Sequence, residues 1–89
     1  MTGARSYTKA MLIARSRLNE FRAARMRGTD LTMEPVKEYE GFWYNRVTTR
    51  YEHPLFGELQ AKRTEITVIW RENDREKKYS ISFIYPANQ

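Results

Sequence analysis

The chain contains no cysteine, so neither disulfides nor thiolate metal sites are available to hold a fold together. Its single histidine, His53, is too few for a zinc site of ordinary ligand count, and no nucleophile stands at a recognisable spacing from it. The four glycines and three prolines form neither a phosphate-binding loop nor a dinucleotide fingerprint. No apolar run approaches the ~20 residues of a membrane-spanning helix, and "AMLIA" is shorter than the core of a secretory leader. These absences argue against an enzyme, a metal site and a bound cofactor, and the expectation is a cytoplasmic protein. The Arg-rich, acid-poor first segment also fits the description of an organelle transit peptide.

What the chain does hold is unevenly placed charge. Its 89 residues suit one domain, 1–89, and at that size folding hides only ~60 to 65% of the surface of the unfolded chain, so every apolar element must contribute. Residues 1–28 carry Arg5, Lys9, Arg15, Arg17, Arg22, Arg25 and Arg27 against Glu20, a balance of +6; the remaining residues sum to −1, which recovers the overall +5. Charge segregated in this way points to an anionic partner. Part of it has a structural reason, since cations in the last turns of a helix are favoured by the helix dipole.

The hydrophobic periods predict an α+β fold. With Ser6 as N-cap and Gly28 just past the end, a helix is expected over about 6–27. Tyr7, Met11, Ala14, Leu18 and Phe21 form its apolar stripe, with Ala10 at the margin and Leu12 and Ile13 off it on opposite sides. "TDLTMEP" reads as a connection, placed at 28–35. From about 36 to 86 the period is two, which predicts a three-stranded antiparallel meander of order 1-2-3.

Register follows from the turns. "ENDR", with Asn73 and Asp74 at the tip, sets Val68 opposite Tyr79, Ile66 opposite Ile81 and Thr64 opposite Phe83. Extending the parity across "HPLFG" puts Tyr39, Trp43, Val47 and Tyr51 on the same side as Ile66 and Trp70, under the helix. The opposite side would then be bare, holding Phe42, Tyr44, Arg46, Arg50, Arg63 and Arg71.

A bare face of rings and guanidiniums suits nucleic acid, because bases stack on exposed aromatics while arginines hold phosphates. The expectation is a small basic non-enzymatic domain binding RNA, DNA or a nucleotide. Arg15 and Arg22 would add charge from the helix flank, Arg46, Arg50, Arg63 and Arg71 would contact phosphates, and Phe42 and Tyr44 would stack. The rival is a protein-binding adaptor or inhibitor, of the kind a phage or mobile element uses to block a host enzyme. It would dock through the bare face or an edge strand, and a homodimer through the sheet or the Ile13 side is compatible with either reading.

Overall fold

In a computed structural model, which describes residues 2–51 and 61–86, one N-terminal helix packs on one antiparallel sheet of four strands. The helix, α1, runs Thr2–Ala23; the strands are β1 Leu31–Pro35, β2 Phe42–Tyr51, β3 Ala61–Glu72 and β4 Arg75–Pro86, adjacent in chain order. No described helix is long and apolar enough to cross a membrane.

The helix is displaced from its expected span at both ends. It starts before Ser6, where no proline opposes it, and stops at Ala23, well short of Gly28. The Met26 amide donates to the Phe21 carbonyl at 2.8 Å and the Arg25 amide to the Arg22 carbonyl at 3.0 Å, with Arg25 and Met26 both left-handed at φ 59° and 58°. This is the Schellman arrangement, here built without the glycine that normally supplies the left-handed residue.

The buried arc of α1 is Ala10, Ile13, Ala14 and Phe21, flanked by half-buried Met11 and Leu18. Ile13 is therefore a core residue, and the packed face is rotated roughly 60° from the expected stripe. The two alanines let the helix sit close over β3 and β4, where it meets Ile66, Val68 and Trp70. Tyr7, at the edge of this contact, stands edge-on to Trp70 with ring centroids 5.1 Å apart.

The β3–β4 hairpin has the expected register: Val68 opposite Tyr79, Ile66 opposite Ile81, Thr64 opposite Phe83. Asn73 and Asp74 form its two-residue turn at φ 53° and 62°, the left-handed pair of a type I′ turn.

Strand β2 has the opposite parity to the expected one. Phe42 pairs with Trp70, Tyr44 with Val68 and Arg46 with Ile66, so these three lie under the helix, whereas Trp43, Val47 and Tyr51 face away. Phe42 is 8% exposed and stacks on Trp70 at 5.6 Å. Tyr39 belongs to a turn before β2, closed by the Val36 amide donating to the Phe42 carbonyl at 2.9 Å, and packs on the core from there.

The sheet also has a fourth strand where a connection was expected. β1 is an edge strand, so Pro35 sacrifices no interior ladder bond. A bulge follows Leu31, with Met33 at φ 50° and its amide donating to the Asn45 side chain in place of a ladder bond.

Candidate nucleic-acid interface

Where α1 stops, the sheet continues. Row by row toward that end, the helix side of the sheet carries Thr48–Thr64–Phe83 and then Arg50–Lys62–Tyr85. Met26 and Gly28 stand opposite these rows, and the space enclosed with Thr48, Thr49, Arg50, Ala61, Lys62 and Tyr85 is an open cleft of about 380 Å³. That volume lies within the ~300 to 1,000 Å³ of small-ligand sites.

Three hydroxyls brace the cleft floor. Thr64, fully buried, bonds to the Thr48 hydroxyl at 2.8 Å and to the Tyr85 hydroxyl at 3.0 Å. Tyr85 also stacks on Phe83 at 5.7 Å, and the Arg22 guanidinium lies 4.9 Å over the Phe83 ring. Arg22 is thus brought to the same end of the molecule as Arg50 and Lys62. Arg25 and Arg27, both exposed, alternate with the wall residues Met26 and Gly28. Asp30 is the nearest described carboxylate along the chain, and it accepts from the Thr48 amide at 3.0 Å.

One arginine anchors the wall. The Arg46 guanidinium lies 4.5 Å over the Phe21 ring and donates to the Thr29 carbonyl at 2.7 Å, tying the end of the helix and the following segment to the sheet. Gly28, at φ 147°, leaves room for it: a Cβ there would stand 2.7 Å from Arg46 Nη2.

The arginines and rings expected to share one face are therefore divided. Arg50 lines the cleft and Arg22 lies over Phe83 in the adjoining row, while Arg15 is exposed on the helix. Phe42, Tyr44, Arg46 and Arg50 all lie on the helix side, contrary to the bare-face expectation, because the β2 register is of the opposite parity. Arg63 and Arg71 are on the face away from the helix, where Arg63 pairs with Glu65 at 3.2 Å and Ile69, beside Trp43, is buried. That face is mixed, with Asn45, Thr67 and Ser80 in one row, a Thr67–Ser80 hydroxyl contact of 2.9 Å, and Trp43 and Ile69 in the next row of like parity. His53 lies outside the described residues.

Arg17, which the sequence does not single out, is a structural ion pair. Its side chain, 11% exposed, bonds to Glu38 at 2.7 Å and Glu20 at 3.1 Å and lies 5.2 Å over the Tyr44 ring. Burial works against its charge, but the Glu38 hydrogen bond and the two carboxylates prevail and raise its pKa above the usual arginine value. Lys62 is likewise not singled out in the sequence, although its parity with Thr64 and Ile66, one step beyond the apolar run, is the signal that places it on the helix side. Among the described residues no cluster of three or more His, Asp or Glu is placed to hold a metal.

Comparison with protein-family models, with curated proteins and with solved structures gives no match for this chain.

Proposed function

We propose that this protein is a non-enzymatic nucleic-acid binder that grips the phosphate backbone with the end of the molecule beyond α1. The observation that supports this reading is an open cleft lined by Arg50 and Lys62 with Tyr85 in its floor, at the end of the molecule where Arg22 lies over Phe83 and the exposed Arg25 and Arg27 alternate with the wall residues Met26 and Gly28. Arg50 and Lys62 are neighbours across a strand pair, a spacing that lets two cations share adjacent phosphate oxygens. Phe83 is capped by Arg22 and Tyr85 is buried, so the cleft offers charge and hydrogen-bond donors rather than a stacking platform. Recognition on this basis is insensitive to base sequence and strongly dependent on salt.

Fluorescence anisotropy with labelled single-stranded and duplex oligonucleotides tests it. If about three phosphates are neutralised, the slope of log K against log salt on duplex DNA is about −2.7, a loss of about 40-fold between 50 and 200 mM salt. The double variant Arg50→Glu/Lys62→Glu should abolish binding, whereas Arg63→Glu/Arg71→Glu on the opposite face should have a much smaller effect. Absence of binding at low salt, or equal losses from the two double variants, refutes the proposal.

The rival, docking on a partner protein, draws on the exposed Val47 and Ile84 of the face away from the helix. It predicts that Val47→Asp disrupts partner capture while Arg50→Glu/Lys62→Glu leaves it intact.

A further inference from the structure

The two edges of the sheet are not alike. β1 is five residues long, bulged after Leu31, left-handed at Met33 and ended by Pro35. Shortness, bulges and proline are the features that keep an edge from recruiting another strand. β4 is twelve residues long, pairs with β3 without a register shift, and has its one proline in last place.

The phase of its hydrogen bonds follows from the turn. In a two-residue hairpin the flanking pair, here Glu72 and Arg75, exchanges both backbone bonds, and every second pair after it does the same. The odd residues of β4 therefore direct their amides and carbonyls to β3. Glu76, Lys78, Ser80, Ser82 and Ile84 direct theirs out of the sheet, where no described strand pairs with them. Pro86, next in that row, has no N–H and closes it. The helix lies on a face of the sheet, and all five of these outward residues are exposed.

We propose that the β4 edge is an interface with a second copy of this chain, the two β4 strands running antiparallel about a twofold axis through Ser80. That register engages the whole outward row: Ser80 meets Ser80 of the second copy, Lys78 meets its Ser82 and Glu76 meets its Ile84. On the helix side, Tyr79 stands beside Ile81 of the second copy and Lys77 beside its Phe83, an aromatic against a β-branched residue and a cation against a ring. Charge selects the antiparallel self-pairing. The charged stretch 75–78 lies against the uncharged stretch 82–85, whereas parallel pairing would set Lys77 and Lys78 against themselves. Both helices then cover the same side of one eight-stranded sheet. This inference is independent of the nucleic-acid reading, because none of the cleft cations belongs to the outward row.

Sedimentation velocity and amide hydrogen exchange, each at about 10 and about 500 µM protein, test it. The mass should rise from 10.7 kDa toward twice that value. The Glu76, Lys78, Ser80, Ser82 and Ile84 amides should become protected at the higher concentration, while the odd residues of β4 are protected at both. Ser82→Lys opposes Lys78 of the second copy and should weaken the dimer about tenfold; Ser82→Glu pairs with that lysine and should strengthen it by a similar factor, since the twofold axis applies the change twice. A monomer at 500 µM, a dimer whose even amides stay unprotected, or two Ser82 variants shifting association in the same direction overturns the proposal.

Discussion

Replacing Thr64 with valine tests the hydroxyl chain that braces the cleft. The substitution keeps the shape of the side chain and removes the one hydroxyl that contacts both Thr48 and Tyr85. Tyr85 is 5% exposed, so its hydroxyl would then be buried without its partner, at a cost of about 1 to 3 kcal/mol. At about 2 kcal/mol, Tm should fall by about 8 to 16 °C for a chain of this length. Tyr85→Phe alone leaves the Thr48–Thr64 bond in place and should cost about 1 kcal/mol. The double variant removes the orphaned hydroxyl along with its partner, and should be more stable than additivity of the two singles predicts by about 1 kcal/mol. Urea unfolding of the four proteins measures this directly. A Thr64→Val protein as stable as the parent, or a double variant that is strictly additive, refutes the account of Thr64 as the hub of the chain.

Three further substitutions have definite expected outcomes. Arg25→Gly relieves a left-handed arginine worth about 1 kcal/mol, partly offset by the greater freedom of glycine in the unfolded chain. Thermal unfolding should show a gain of about 0.5 kcal/mol while the salt slope of nucleic-acid binding falls by about 1; Arg25→Ala should lose the slope without the gain. Gly28→Ala imposes a side chain at φ 147° and displaces Arg46 from Thr29 and Phe21, so urea unfolding should show a loss of about 1 to 3 kcal/mol. Asp74→Gly gives the hairpin the Asn-Gly turn favoured for type I′ geometry and should raise stability by about 0.5 to 1 kcal/mol in the same assay.

The parts of the fold legible in the sequence are those governed by short-range constraints. The β3–β4 register is one, because a two-residue turn fixes which residues face one another. β2 is not, since residues 52–60 separate it from β3 and a connection of that length fixes no parity. Counting apolar side chains favours Trp43, Val47 and Tyr51 as the inner set. The molecule instead buries Phe42 against Trp70 and turns Arg46 inward, where its flat cation covers Phe21. β1 is hidden by its proline and its five-residue length, features that an edge strand tolerates. The helix end is hidden because Arg25 takes the conformation usually left to glycine, so Gly28 marks the Arg46 contact instead of the cap. For the candidate site, the basic character of the helix end is visible in the charge count and the side of Lys62 follows from β3, but the placing of Arg50 at that end depends on the β2 parity.

Strands that follow one another in space as they do in the chain allow the sheet to grow by local steps, starting from the tight Asn73–Asp74 reversal. The helix has no such advantage, as Ala14 and Ile66 are separated by about fifty residues, so its docking carries the largest loop-closure entropy. We expect it to arrive last. Until then Ile66, Val68 and Trp70 are wet, and the interval before docking is when the newly made chain is most prone to aggregate.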